Sequence, residues 1–200
     1  LINNHSNVEF KLYEGTRTLF DYTGIEKEII KLRHKKVNIP CGGYIVIDKT
    51  EAMYVIDVNS GKNTKGRDFN KTIMQTNLEA AKEVGRQIRL RNLSGIIVVD
   101  FIDMRDESQK VHVIKALKKS LEADKGNVKI FPFTELGLVQ ITRYRKGKSI
   151  YEYIEENCLA CNGHGKRLKL SYINLLLRNE ILKKNGEGQK KKEYSLYRTF

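Results

Sequence analysis

Two aspartates and one asparagine carry the strongest chemical signal in this sequence. Asp57 and Asn59 lie two residues apart, in and just beyond the β-rich run 52–58, and side chains at positions i and i+2 of a strand point to the same face. Asp100 ends a second apolar run, Ile96–Val99. Functional groups in open α/β sheets collect at the carboxyl ends of strands. If the two strands are neighbours, Asp57 and Asp100 form a compact, oxygen-rich site.

Such a site favours a hard divalent cation. Mg²⁺ typically takes one or two carboxylates from the protein and keeps several waters. The alternative is that aspartates at strand ends cap helices or form turns, and Asp103 fits that description. In an extended strand Asp100 and Asp103 would face opposite sides, so we do not expect both to bind one ion. Asp48, on the companion strand of Asp57, is a weaker candidate.

A second candidate metal site lies near the carboxyl end of the sequence. Cys158 and Cys161 form a C-x-x-C pair, followed by glycines that let the backbone curl around an ion. One pair supplies two of the four ligands that structural Zn²⁺ needs, so the others would come from this chain or from a second chain. His164 is a possible third ligand by spacing. A redox C-x-x-C pair and two unrelated thiols remain alternatives.

Basic residues flank the aspartate-bearing strands. The formal net charge is +13, and more than half of the excess lies in residues 158–200. A basic excess attracts polyanions, so nucleic acid is the first partner to consider, with a solvated surface as the alternative. The residues predicted to hold an RNA backbone are Lys62, Lys65 and Arg67 in the loop after Asn59, and Arg143 and Arg145 after the last strand. Arg89 and Arg91 fit equally well as cations at a helix carboxyl end.

The composition places the chain among globular proteins. Of its 200 residues, 40% are hydrophobic and 30% are charged. Neither a bilayer-spanning apolar run nor a signal-peptide pattern is present, which argues against secretion and membrane insertion. Three cysteines are too few, and odd in number, for a disulfide scaffold, so a cytoplasmic location is expected.

The elements that must position these residues alternate between strands and helices. The predicted order from Tyr44 is β-β-α-β-α-β-β, which implies a mixed sheet covered by helices, an α/β fold. Gly95–Phe101 is a continuous apolar run, typical of a strand buried on both faces. The first long helix, about Phe69–Arg91 with Asp68 as its N-cap, has one inward face. That face comprises Ile73, Asn77, Ala80, Ala81, Val84 and Ile88.

Six motifs in order resemble the catalytic core of the ribonuclease E/G family. They are residues 42–59 (GGYIVIDKTEAMYVIDVN), 76–81 (TNLEAA), 86–91 (RQIRLR), 95–104 (GIIVVDFIDM), 135–143 (ELGLV and the later Thr-Arg) and the Cys158–Gly165 segment. The resemblance covers roughly residues 8–170. It implies a DNase-I-like subdomain that hydrolyses single-stranded RNA internally with Mg²⁺, leaving 5′-phosphate and 3′-hydroxyl ends.

The resemblance also implies roles for individual residues. Asp57 and Asp100 would hold Mg²⁺, while Asn59 would help to hold that site and orient the attacking water. Cys158 and Cys161 would bind a zinc ion shared across a dimer interface, two cysteines from each protomer, in a dimer or a tetramer. His164 falls between the two glycines, at a position we take to be variable in the family.

The resemblance also divides the chain. Residues 1–39 would end a preceding subdomain, 40–147 form the catalytic subdomain, 148–169 the zinc link, and 170–200 the helical start of a small domain. The family's S1 and 5′-end-sensing domains would have to precede Leu1, so weak or no cleavage is expected from these residues alone. A non-catalytic RNA-binding or assembly module is the alternative, and the metal pair alone also allows a DNase or phosphohydrolase.

Overall fold

A computed structural model describes residues 11–61, 69–144, 147–161, 163 and 165–186. The chain divides into two compact units, Leu1–Ile154 and Glu155–Phe200. The helices and strands of the first unit are α1 (Leu19–Tyr22), α2 (Ile25–Lys31), β1 (Lys36–Asn38), β2 (Tyr44–Lys49), β3 (Met53–Asn59), α3 (Phe69–Leu90), β4 (Gly95–Asp100), α4 (Glu107–Leu121), β5 (Val128–Phe133), β6 (Leu138–Arg143) and α5 (Tyr151–Ile154). The second unit contains α6 (Leu170–Gly186).

The strands of the first unit form one six-stranded sheet in the order β1-β2-β3-β4-β6-β5. All neighbours are antiparallel except β3 and β4, which are parallel. A parallel pair needs a crossover connection, and α3 lies in the segment between these two strands. The mixed sheet with helices confirms the predicted α/β fold, and β1 is an edge strand that the sequence pattern did not predict.

The hydrophobic core lies between one face of the sheet and helices α3 and α4. Alternate residues of the central strands, such as Ile56 and Val99, are fully buried there. The inward face predicted for α3 is correct, since all six of its residues are buried, but its predicted N-cap, Asp68, lies outside the described residues. Asp106 caps α4 by accepting a 2.8 Å hydrogen bond from the Ser108 N–H.

The opposite face of the sheet is much less covered. Along β4, Ile97 and Val99 are buried, whereas Ile96 on the other face is 47% exposed. The prediction that this strand is buried on both faces is therefore wrong. Considering only the described residues of the first unit, helices cover one face of the sheet, and the second face is accessible at its central strands. Within the same part of the chain, no helix combines the length and apolarity that a bilayer span requires.

Candidate active site

Asp57 and Asp100 lie side by side at the carboxyl edge of the parallel pair. They are direct partners in the β3–β4 register, and neighbouring strands run about 4.8 Å apart. Both side chains are exposed, whereas the residues preceding them, Ile56 and Val99, point into the core. Because side chains alternate along a strand, both carboxylates project from the face away from the helices.

Asn59 is hydrogen-bonded to the first aspartate. Its Nδ2 donates to Asp57 Oδ2 at 2.7 Å, so the two side chains share a face, as their spacing predicts. The backbone here is held by a glycine turn. A Cβ on Gly43 would come within 2.6 Å of the Asn59 carbonyl oxygen, and one on Gly61, where φ is +69°, would collide with the Gly42 carbonyl.

The charged groups described at this site are carboxylates. The pKa of Asp100 is raised by partial burial, then by the negative charges of Asp57 and Asp103. The chain leaves the strand conformation after Asp100, and Asp103 is the last of the three causes of the raised pKa. That Asp100 and Asp103 do not both bind one ion stays a prediction. A cation placed between these carboxylates would relieve their repulsion.

A buried asparagine holds the segment that follows Asp100. Asn77, on α3, is fully buried. Its Nδ2 donates to the Ile102 carbonyl at 2.8 Å, and its Oδ1 accepts from the Ile102 N–H at 3.0 Å. The sequence placed Asn77 on the inward face of the helix and gave it no role. The available signal was a polar side chain on an otherwise apolar helical face. Buried polar groups are hydrogen-bonded, so this asparagine indicated backbone groups opposite it that required both a donor and an acceptor.

Arg143 has a structural position. Its side chain is only 8% exposed and forms a 3.1 Å ion pair with Asp124. Its Nη1 also donates to Asn92 Oδ1 and to the Leu93 carbonyl. It faces Gly95, at the opposite end of β4 from Asp100. These contacts engage the Arg143 guanidinium inside the protein, which argues against the predicted contact with RNA. Lys62, Lys65, Arg67 and Arg145 lie outside the described residues.

The remaining candidate ligands are distributed unevenly. Asp48 forms a 2.5 Å ion pair with Lys35 and lies two register positions from Asp57, so it does not join the pair. Within the described ranges, no three His, Cys, Asp or Glu side chains form a group that could hold a metal ion. The candidate set at the sheet edge is therefore two carboxylates and one amide, enough for an ion that keeps several of its waters.

Comparison with known proteins decides the family. The sequence matches the ribonuclease E/G family over residues 1–146. The chain belongs to this family. Among its relatives, Ribonuclease E of Nostoc sp. (strain PCC 7120) is 45% identical over 152 residues, which is 76% of this chain and 22% of that protein. Ribonuclease G of Haemophilus influenzae is 37% identical over 172 residues, 86% of this chain and 35% of that protein.

Ribonuclease G of Escherichia coli (strain K12) is 40% identical over 153 residues, 76% of this chain and 31% of that protein. The chain thus spans between about a fifth and about a third of the length of these ribonuclease E and G relatives. Membership of the family confirms the resemblance inferred from the six motifs.

The cysteine pair of this ribonuclease E/G chain follows the family match, which ends at residue 146. Within the second unit, the Cys161 N–H donates to the Cys158 carbonyl at 3.3 Å, and the Gly165 N–H points at Cys161 Sγ at 3.2 Å. The pKa of Cys158 is lowered by the Ala160 N–H, then by hydrogen bonds from the side chain and backbone of Cys161. A thiol that ionises more easily is a better metal ligand. His164 lies outside the described residues.

Proposed function

We propose that this chain is a metal-dependent endoribonuclease. It would hydrolyse single-stranded RNA internally and leave 5′-phosphate and 3′-hydroxyl ends, in RNA processing and decay. The observation that supports this most directly is the in-register pairing of Asp57 with Asp100, with Asn59 hydrogen-bonded to Asp57. Membership of a family whose relatives are named Ribonuclease E and Ribonuclease G supports the substrate class. Residues 40–147 would form the catalytic subdomain.

The donor set fits Mg²⁺. Asp57 and Asp100 are both exposed, share a face and repel each other, which is the arrangement that a hard divalent ion stabilises. Bound between them, Mg²⁺ would neutralise charge that develops on the phosphate and make a coordinated water more acidic. No histidine or cysteine nucleophile is needed for this chemistry.

The protein's own groups would supply positioning. The Asn59 amide N–H group fixes the rotation of the Asp57 carboxylate. Within the described part of the chain no hydrogen bond to the Asn59 side-chain oxygen is seen, and this oxygen would accept one from the attacking water. Asn77 fixes the backbone at Ile102 and so limits the movement of Asp100. Catalysis of this kind depends on geometry that is set before the substrate arrives.

Basic residues outside the described ranges complete the proposal. Lys62, Lys65 and Arg67 follow the Asn59–Gly61 turn in sequence, and Arg145 follows β6. We propose that they contact RNA phosphates, which would contribute affinity without reading sequence. Removing one such charge should weaken RNA binding uniformly and reduce its salt dependence by about one counterion. The free cysteines fit a reducing compartment, and we place the activity in the cytoplasm.

A Mg²⁺ titration with a short single-stranded RNA tests the enzymatic proposal. The assay uses the 200-residue chain in excess over RNA, so that slow single-turnover cleavage is visible. Asp100→Asn should abolish cleavage, while the matched control Asp48→Asn should retain it, because Asp48 shares the sheet face but pairs with Lys35. Cleaved products should carry 5′-phosphates.

Three outcomes of this titration would overturn the proposal. RNA binding without cleavage, both by the 200-residue chain and by the same residues within a longer ribonuclease E/G protein, would indicate a non-catalytic module of the same fold. Equal cleavage of DNA and RNA would indicate a less selective phosphodiesterase. Wild-type activity in Asp100→Asn would remove the metal assignment.

We also propose that Cys158 and Cys161 hold a zinc ion shared with a second copy of the chain. Two thiols leave two tetrahedral positions to be filled, and among the described residues no third ligand joins them. Metal analysis should find about half a zinc per chain, together with a dimer or tetramer in solution. In Cys158→Ser/Cys161→Ser both the zinc and the assembly should be lost, whereas Cys41→Ser should change neither. One zinc per chain in a monomer would contradict the proposal.

A further inference from the structure

A groove begins at the candidate active site and crosses the edge of the sheet. It has a volume of ≈ 580 Å³ and runs across the ends of β1, β2 and β3. Its lining includes Lys36, Asn38, Tyr44, Asn59 and Ser60. Asp57 and Asp100 do not line the groove, but Asn59 does and is hydrogen-bonded to Asp57. One end of the groove is therefore a single hydrogen bond away from the carboxylate pair.

The strand register fixes how the groove is related to the carboxylates. Asn38, Tyr44 and Asn59 are successive cross-strand partners, so their side chains share one face of the sheet. The direct partner of Asp57 is Val46, which makes Tyr44 the diagonal neighbour of Asp57. Diagonal neighbours on adjacent strands lie about 7–8 Å apart. A group bound on the Tyr44 ring would therefore be within reach of the site next to Asp57.

An aromatic ring and a cation meet inside this groove. Lys36 Nζ lies 3.7 Å from the centroid of the Tyr44 ring. The ring is half-buried, so its orientation is restrained, while Lys36 is exposed. The ammonium group lies over one face of the ring. An aromatic ring and a cation are the combination that binds single-stranded nucleic acid, since the ring can stack on a base once the cation moves from the ring to the backbone.

A purely structural explanation exists for each residue alone. Tyrosine favours strands, and an edge lysine discourages pairing with other sheets. Neither explanation accounts for a groove that opens along the same row of residues and ends at Asn59. The combination is therefore better explained by a ligand than by the edge alone.

We propose that Tyr44 stacks on a nucleobase adjacent to the scissile phosphate and that Lys36 contacts the neighbouring phosphate. This proposal rests on the proposed function, because the groove acquires this meaning only beside an RNA-cleaving site. The subsite would be tolerant of sequence, since every base presents an aromatic face. Tyr44 is thus a substrate-positioning residue that sets where along the RNA the cut falls.

The test is a binding experiment that does not depend on cleavage. The 200-residue chain is titrated, in EDTA, against a set of short single-stranded RNAs in which one nucleotide at a time lacks its base. The wild-type chain should lose about tenfold in affinity when one particular base is missing, because that stacking contact is lost. Tyr44→Leu should bind the intact RNA about tenfold more weakly. For this variant, no single missing base should weaken binding further. Tyr44→Phe, which keeps the ring, should behave like the wild type.

Lys36→Gln provides a second variant, at an exposed position. It should lower the affinity for all the RNAs by a similar, smaller factor of about threefold and reduce the salt dependence of binding. The affinity should still fall when the one particular base is missing. This pattern distinguishes the contribution of the Lys36 cation from that of the Tyr44 ring. If Tyr44→Leu fails to fold, the wild-type profile still tests the proposal, because a profile without a sensitive position overturns it.

Several results would overturn the proposal. A wild-type profile without a sensitive position would do so, as would wild-type affinity in folded Tyr44→Leu or a complete absence of RNA binding. Failure of the metal assignment would give a different result. The chain would then not cleave RNA with Mg²⁺, but its affinity would still fall when the one particular base is missing.

Discussion

The charged side chains at the two ends of strand β4 differ in burial and in pairing. At the carboxyl end, Asp57 and Asp100 are exposed and lie side by side. At the amino end, the buried guanidinium of Arg143 pairs with Asp124. Arg91, also fully buried, donates to Gln87, to the Tyr151 hydroxyl and to the His34 carbonyl.

The contrast shows how to distinguish charges that could act on a ligand from charges that hold the fold. Among the described residues, neither Asp57 nor Asp100 has a cationic partner, and the pKa of Asp100 is raised. The two arginines have their hydrogen bonds satisfied by the protein, so they have little left to offer a phosphate. A basic residue that is merely close to a motif in sequence is therefore weak evidence for a ligand site. An exposed pair of acids without a cationic partner is stronger evidence.

The largest expected effect is the loss of activity in Asp100→Asn, by at least about 10²–10³-fold. The stability of the fold, in contrast, should not fall. Because the raised pKa shows that the folded state disfavours the ionised carboxyl, a neutral amide should leave the free energy of unfolding at neutral pH unchanged or slightly higher. Single-turnover cleavage and urea unfolding of the same preparation check both parts. A clear fall in stability would mean that Asp100 holds the fold, like the arginines.

The opposite end of the strand should give the reverse result. Arg143→Met strands Asp124 as an uncompensated buried charge and should cost about 3–5 kcal/mol of unfolding free energy. Arg143→Met/Asp124→Leu should recover most of that loss, because both charges are then gone. RNA affinity per folded molecule should not change in either variant. A selective loss of RNA binding with normal stability would restore Arg143 as an RNA ligand.

An intermediate effect is expected for Asn77→Leu, which removes both hydrogen bonds to Ile102. Two buried backbone groups would be left unsatisfied, at a cost of about 2–4 kcal/mol, and cleavage should also slow because the Asp100 segment is released. Lys71→Leu, on the exposed side of the same helix, is the matched control and should stay within about 0.5 kcal/mol of the wild type. Equal effects in both variants would show that the Ile102 contacts are unimportant.

The smallest expected effect concerns Glu79, which accepts a 2.6 Å hydrogen bond from the Cys41 N–H beside the glycine turn. Burial pushes its pKa upward, but hydrogen bonds from Gln75 and Cys41 outweigh burial and lower the pKa below the ordinary 4.5. The ionised carboxylate thus stabilises the fold above pH 4.5, and this stabilisation is lost as pH falls through the lowered value.

Glu79→Gln should therefore flatten the acid limb of the stability curve, by less than about 1 kcal/mol. Thermal unfolding from pH 6 to pH 3 measures the difference. Parallel curves for the variant and the wild type would show that this acid is not used structurally, unlike the buried pair at the other end of β4.

Much of the architecture could be predicted because it is encoded locally. The strand and helix periods placed Asn59 on the same side as Asp57 and put Ile73 through Ile88 against the core, and the structure agrees. The short edge strand β1 was missed because three residues carry too little pattern. The burial of β4 was overestimated, since a continuous apolar run does not reveal that the described helices of the first unit cover only one face of the sheet.

Sequence alone determined the spacing of Asp57 and Asn59 and the motif order that identifies the family, because a two-residue period needs no knowledge of distant parts of the chain. Tertiary structure decided that β3 lies parallel to β4 with residue 57 opposite residue 100. It also decided that Arg143 is turned inward and that Tyr44 lines a groove leading to Asn59. These facts depend on which strands become neighbours and in what register, and that is set by how the whole core packs.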